Sequence, residues 1–299
     1  MRGATARALS ICAGVLLMLQ AQAVFAESPR CSRIVSLAPS VTETVYELGL
    51  GERLVGRTRF CRYPPEARSV PEVGGFYDVS VEAIIAQKPT HLITLRESAD
   101  VAAQAARFGA EVIEVDHSSV SGIKESVRRI GERCGASARA EELLSQYASR
   151  ERAVADQVAQ LEKPRTLVVV GRAQQGSETS SLYVSGSDGF YTEVLRLAGA
   201  RNVHEGRTVA VPLVSPEGLL LLKPEAVVEV VSADDGVSAR EAFGVWERLK
   251  ALPAVRDHKV FVLDDDFASI PGPRYIRLVE KLAQLLHAGN RAGQKEGQT

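Results

Sequence analysis

The sequence predicts an α/β protein of two lobes, each built on a parallel sheet and flanked by helices, joined by one long rigid helix. Strand-like apolar runs alternate with helix-length amphipathic segments on both sides of the chain's middle, the pattern of parallel sheets with helices on their faces. Between them, residues 138–161 carry no strand signal, while Leu143, Tyr147, Val154, Val158 and Leu161 recur at helical spacing. That is one helix of about 24 residues, about 36 Å long. One element is also written twice, as Val79-Ser80-Val81-Glu82 running to Lys88-Pro89 and as Val214-Ser215-Pro216-Glu217 running to Lys223-Pro224. Each copy has a serine placed to cap a helix, an acid in the first turn, an apolar run, and a Lys-Pro stop followed by a strand.

The composition suits a protein of this plan. With 299 residues, 45% of them hydrophobic and 24% charged, the chain is long enough for two lobes of ordinary size. A formal net charge of −1 and the lack of any long Lys or Arg run argue against a nucleic-acid partner. Residues 1–26 read as a secretory signal peptide: Arg2 and Arg7, an apolar stretch, then Val24-Phe25-Ala26 with small residues where a peptidase cuts. The apolar run is shorter than the roughly 20 residues of a comfortable span, so the mature chain is expected to be soluble, exported and not membrane-spanning. Cys12 leaves with that leader, and Cys31, Cys61 and Cys134 remain. Cys31 precedes the first strand and Cys134 ends a helix returning from the opposite edge, so a Cys31–Cys134 disulfide is expected, with three unpaired thiols as the alternative.

Element by element, Arg33-Ile34-Val35-Ser36-Leu37 is a short strand, and Ser40-Val41-Thr42-Glu43 has the spacing of a capping box opening a helix that Gly49 ends. A second strand over 54–56 leads into a long loop over 57–77, rich in Arg, Pro, Gly and aromatics, a length that suggests a function. Strands over 91–95 and 111–115 alternate with helices over 100–108 and 121–134, completing a first lobe of residues 27–137. The bridging helix takes 138–162. The second lobe, 163–287, repeats the alternation: strand 166–170, a polar loop, Tyr183-Val184, and helix 189–198. Strand 226–231, helix 242–249, strand 259–263, the loop 264–274 and a last amphipathic helix from Tyr275 complete it. Thr42-Glu43 ahead of Gly49 matches Thr192-Glu193 ahead of Gly199 in spacing, which supports two similar halves. Residues 288–299 are polar and Gly-rich and are expected to be disordered.

In a parallel sheet the connecting helices begin at the edge where strands end, and ligands bind outside that edge. Glu82 and Glu217 start such helices, so both acids belong on the functional edge at equivalent places. Loops on the same edge offer Phe60, Cys61, Arg62 and Tyr63, then Phe76 and Tyr77, Arg96, and from the second half Arg172, Tyr183 and Ser185. Aromatic faces with guanidinium groups suit a large, partly planar or anionic ligand held in a cleft that one rigid helix keeps largely pre-formed.

Arg33-Ile34-Val35-Ser36-Leu37-Ala38-Pro39-Ser40 with Thr42-Glu43, Tyr63-Pro64-Pro65-Glu66-Ala67, Val73-Gly74-Gly75, Ser80-Val81-Glu82 with Lys88-Pro89, and Gly272-Pro273-Arg274 resemble the periplasmic binding proteins for vitamin B12, ferric siderophores and haem. The resemblance covers nearly all of the mature chain. It implies two Rossmann-like lobes of the class III type, capture of a cobalt- or iron-containing chelate with no further cofactor, and delivery to the membrane permease of an ABC transporter by a monomer. It also implies that Glu82 and Glu217 meet arginines of the permease, and that Phe60, Phe76 and Tyr183 stand where vitamin B12-binding members carry aromatic contacts. Val211 departs from the pattern, standing where a tryptophan faces the ligand in the enteric vitamin B12-binding protein. A corrinoid is the first expectation, a ferric siderophore or haem the second; a ligand-sensing periplasmic protein is the alternative, ahead of a periplasmic enzyme on the same scaffold.

Other residues take plainer readings. Trp246 is expected in the core, and the five histidines lack mutual metal-site spacing, although His117 follows a strand end near the cleft. No Gly-x-Ser-x-Gly elbow, phosphate loop or dinucleotide fingerprint is present, so an enzyme reading has no catalytic residues to rest on.

Overall fold

A computed structural model describes residues 30–75, 78–96, 99–173, 181–204, 209–232 and 238–288. The expected leader, residues 289–299 of the expected tail, and Phe76 and Tyr77 lie outside the described residues. The chain divides into two units, Met1–Arg30 and Cys31–Thr299, and both sheets lie in the second.

The first sheet has β1 (Ile34–Ser36), β2 (Leu54–Arg57), β3 (His91–Leu95) and β4 (Glu111–Val115) in the order β2-β1-β3-β4, every pairing parallel. Helices cover both faces, and Ile34, Val35, Leu92 and Ile93 are wholly buried, as the unbroken apolar runs require. The second sheet is centred on β5 (Arg165–Arg172), which pairs in parallel with β7 (Arg201–Asn202) and β9 (Ala226–Val230); β10 (Val260–Leu263) pairs in parallel with β9. Here the structure departs from the expected parallel sheet. β6 (Leu182–Val184) runs antiparallel to β5, and β8 (Leu213–Val214) runs antiparallel to β6. The stretch between β5 and β6 is too short for the crossover of about a dozen residues that a parallel return needs, so β6 must run back.

The helices are α1 (Pro39–Glu47), α2 (Val81–Ala86), α3 (Ala99–Ala106), α4 (Val120–Cys134), α5 (Ser137–Val158), α6 (Phe190–Leu197), α7 (Pro216–Leu222), α8 (Ala239–Trp246), α9 (Pro253–Arg256), α10 (Asp266–Ser269) and α11 (Tyr275–Leu286). Among the described residues, none is long and apolar enough to cross a membrane. The capping box expected at Ser40 is not formed. Ala38 is the N-cap, Pro39 occupies the first turn, and Ser40 and Glu43 are buried inside the helix. The twice-written element is the same object twice: Ser80 Oγ accepts from the Ala83 N–H at α2, and Ser215 Oγ from the Gly218 N–H at α7. The C-cap is Gln87 in α2 and Lys223 in α7, and in both copies the lysine before the proline is left-handed, with φ of 48° at Lys88 and 45° at Lys223, where the following proline disfavours continued α geometry.

The bridging helix α5 buries Ala140, Leu143, Tyr147, Val154 and Val158 along one stripe. It packs on α4, α6 and α11 and so belongs to one apolar core running beneath both sheets, while the outer face of each sheet has a smaller core of its own. Polar ties hold it in register. Tyr147 meets Tyr275 edge-on at 5.4 Å, Arg150 forks onto Glu280 at 2.8 and 2.7 Å, and Glu151 accepts from Lys124 and from the Tyr275 hydroxyl.

Cys31 and Cys134 form a disulfide, with Cα atoms 5.0 Å apart and a sequence separation of 103. Cys61 is a buried free thiol. Closing so long a loop constrains the unfolded chain strongly, so Cys31→Ser/Cys134→Ser is expected to lose about 2–5 kcal/mol of stability, measured by urea unfolding. Cys61 in the folded protein is expected to resist a thiol-titrating reagent until denaturant is added.

Candidate ligand cleft and docking corners

The C-terminal ends of β1, β5, β9 and β10 open on a single cleft between the two sheets, with a cavity of about 550 Å³. Pro39 and Glu43 enter it from the start of α1, and Phe60, Arg62, Tyr63 and Arg68 from the loop after β2. From the other half come Val170, Val230, Tyr191, and Asp264, Asp266 and Ile270 of the segment after β10. The wall from the first half is thus aromatic and basic, and the facing wall is apolar and acidic.

At the back of the cleft, Arg274 joins the halves. Its Nε and Nη2 donate to the two oxygens of Glu43 at 2.9 and 2.5 Å, and its Nη1 donates to Asp266 at 2.7 Å. The Tyr63 ring lies 3.9 Å from the guanidinium carbon, which fixes the ring as a flat wall. Glu43 and Arg274 are 1% and 4% exposed. Burial pushes Glu43 up to about 7 despite Arg274. Burial alone would lower Arg274, but its bonds to Glu43 and Asp266 outweigh that and raise it.

The matching acid of the second half crosses in the other direction. Glu193 on α6 accepts the backbone N–H groups of Val120 and Ser121 at 2.9 and 3.3 Å, closing the N-terminus of α4 in the first half. The threonines beside these acids each tie back to their own half, Thr42 donating to Ser36 Oγ and Thr192 to the Gly186 carbonyl. His117, after β4, is 5% exposed and faces the Pro271 backbone without hydrogen-bond geometry at either ring nitrogen. Burial lowers it to about 4, with Asp116 pulling the other way.

The structure brings Phe60 and Tyr63 into the cavity and sends other expected residues elsewhere. Cys61 is 0% exposed, with its sulfur 3.1 Å from Thr58 Oγ1, behind the loop that displays its neighbours. Arg172 forks onto the buried Glu229 at 2.6 and 2.7 Å and donates to the Ala242 carbonyl, on the outer face of the sheet. Glu229 also accepts from Trp246, so this buried carboxylate is what holds the arginine away from the cleft. Ser185 is buried and bonded to the Gly186 carbonyl, and Arg96 pairs with Glu114 on the first lobe's surface. Phe76 and Tyr77 lie outside the described residues. Tyr183 pairs directly with Leu213, while their neighbours Leu182 and Val214 face the outer core. Strand alternation therefore turns Tyr183 and Leu213, 41% and 55% exposed, to the face opposite the outer core, and neither lines the cavity.

Sequence reasoning missed Arg68, Tyr191, Asp264 and Asp266 as lining residues. Asp264 and Asp266 had a signal, since they directly follow a strand of the sheet, where ligand-facing loops begin. Tyr191 had none: it sits in a helix and donates to the Ala268 carbonyl. Among the described residues no group of His, Cys, Asp or Glu has the arrangement to hold a metal ion.

Glu82 and Glu217 stand exposed at the first turns of α2 and α7. Each carboxyl is held below its usual range by its own backbone N–H and by the capping serine's hydroxyl, so both are ionised at neutral pH.

Two sheets bridged by one helix, with an open cleft at the strand ends, define a binding protein of two lobes. Residues 34–267 match the family described as "Periplasmic binding protein", and the chain belongs to it: an exported periplasmic substrate-binding protein of the ABC-importer type. Its family works in transport and not in catalysis, with a small-molecule ligand and a permease as partners. It is 33% identical over 262 residues to the "Uncharacterized ABC transporter substrate-binding lipoprotein YvrC" of Bacillus subtilis (strain 168), covering 85% of this chain and 80% of that one. The "Vitamin B12-binding protein" of Photorhabdus laumondii is 28% identical over 257 residues, covering 85% and 88%. Among solved structures, a periplasmic heme binding protein from Pseudomonas aeruginosa superposes with a TM-score of 0.73 at 26% identity, covering 87% of this chain and 94% of that one. The periplasmic vitamin B12 binding protein BtuF of Vibrio cholerae shares the fold, with a TM-score of 0.70 at 22% identity over 87% and 98%.

The two buried groups predict opposite responses to acid. His117 has a folded value below its unfolded one, so its contribution is present above about 6.5 and is lost as pH falls toward 4, up to about 3 kcal/mol. Glu43 has a folded value raised to about 7, so its contribution is present below 4.5 and is lost as pH rises through 7. His117→Leu should therefore flatten the loss of stability on acidification, and Glu43→Gln should steepen it, as read by urea unfolding at pH 5 and pH 7.

Proposed function

We propose that the cleft captures a corrinoid and delivers it to the permease of an ABC importer. The observation that carries this reading is the pairing of an open cavity of about 550 Å³, walled by Phe60 and Tyr63, with the exposed apolar pair Tyr183 and Leu213 outside its lining. Such a site suits a ligand too large for the cavity alone, held by stacking and by contacts at its rim. A corrinoid brings its cobalt already enclosed and asks the protein for shape and hydrogen bonds. Tyr63 fits the demand for shape, because stacking on Arg274 holds its ring as a flat wall. The relatives named for vitamin B12 binding support the same reading. Arg62 and Arg68 favour a second reading, an anionic ferric siderophore, and the haem-binding structural relatives favour haem.

Glu82 and Glu217 are, in this reading, the two charges that meet arginines of the permease. They are ionised, exposed and built on identical caps, one on each lobe. The protein acts as a monomer, exported by a leader cut after Ala26.

Titration of the mature protein with cyanocobalamin, a ferric siderophore and haemin, monitored by absorbance, is expected to show saturable binding of cyanocobalamin, and Tyr63→Ala should weaken it at least about tenfold. Binding of none of the three would sink the chelate assignment. Glu82→Arg/Glu217→Arg should abolish uptake into cells with affinity in solution unchanged; a loss of affinity would place the acids in the ligand site instead.

A further inference from the structure

The duplicated element is identical in its cap and its stop but not on the face between them. In α7, Leu220 and Leu221 lie three and four residues after Glu217, on the same helical face as the acid, and are 43% and 83% exposed. The buried anchors Leu219 and Ile84 occupy equivalent positions, at 1% and 0% exposure, so the register between the two copies is fixed. At the matching places α2 carries Ile85, half-buried, and Ala86. A scattered exposed leucine needs no explanation, but two adjacent ones flanking an ionised acid have the composition of an interface: apolar contact area with charge at its edge.

We propose that the α7 corner is an apolar docking surface for the permease, with Leu221 at its centre and Glu217 at its rim, and that the α2 corner docks through its acid alone. This rests on the reading of Glu82 and Glu217 as docking residues and adds to it a division of labour. The partner is the permease because Leu221 shares a face with Glu217 one helical turn away, so whatever meets the acid covers the leucine. The element that seats there carries a cation flanked by apolar side chains, and each lobe meets its part of the membrane protein with a different chemistry. Docking then has a direction, since exchanging the two corners would leave Leu221 facing a surface shaped for Ala86.

The test places a photo-crosslinking benzoylphenylalanine at position 221 or at position 86 of the full chain, produced and illuminated in its own cells, with adducts identified by peptide mass. An adduct to an ABC permease subunit from 221, stronger than from 86, is the expected result. Leu221→Ser should then weaken binding of the purified mature protein to vesicles containing that permease roughly tenfold, with Ala86→Ser nearly neutral. An adduct from 86 with none from 221, or from 221 only to lipid or to a second copy of this chain, overturns the apolar corner and leaves the paired acids standing. No permease adduct from either position overturns the docking reading as well, and equal losses from the two serine variants overturn the asymmetry.

Discussion

Two carboxylates hold the halves of this protein at a fixed separation, and each reaches out of its own half to do so. Glu43 leaves the first half to clasp Arg274, and Glu193 leaves the second to close the N-terminus of α4. The partners differ in kind, a guanidinium in one case and bare backbone donors in the other, yet both are positive ends that an acid can satisfy. The long helix α5 packs on helices of both halves, and these crossings tie the halves to each other directly. The cleft is a product of that geometry, because its floor is the strand ends that α5 and the crossings keep apart.

The Glu43–Arg274 contact also shapes what the cleft presents. Its burial is costly, and the surroundings offset the cost with Asp266 on the remaining guanidinium edge and Tyr63 on its face. A cleft residue is therefore immobilised by a structural one. The same logic removes Arg172 from ligand contact, since Glu229 on the opposite face of the sheet needs a fork and Arg172 is the residue beside it.

The sequence made the architecture legible because its signals were repeated: alternation, the uninterrupted α5 stripe, and a helix start spelled twice. It was less informative where one residue type serves two purposes. Thr42-Glu43 has the spacing of a cap, and nothing in that spacing reveals that α1 starts earlier and turns Glu43 to a residue 231 positions away. An arginine on the functional edge reads the same whether it faces a ligand or a buried acid, so Arg172 and Arg62 were indistinguishable. Cys61 lies between two displayed neighbours, and only the turn of the loop hides it. The antiparallel β6 was concealed because a short strand shows its alternation but not its direction.

The Cys31–Cys134 bond bears on the order in which the molecule is built. Both of its sulfurs belong to the first half, and Cys134 is the last residue of α4, ahead of α5 in the chain. A chain threaded outward from its N-terminus exposes both cysteines to the oxidising compartment before any of the second half has emerged. The first half can be sealed covalently while the rest is still in transit. Arg274 lies close to the far end, so its contact with Glu43 can form only after nearly all of the second half has emerged.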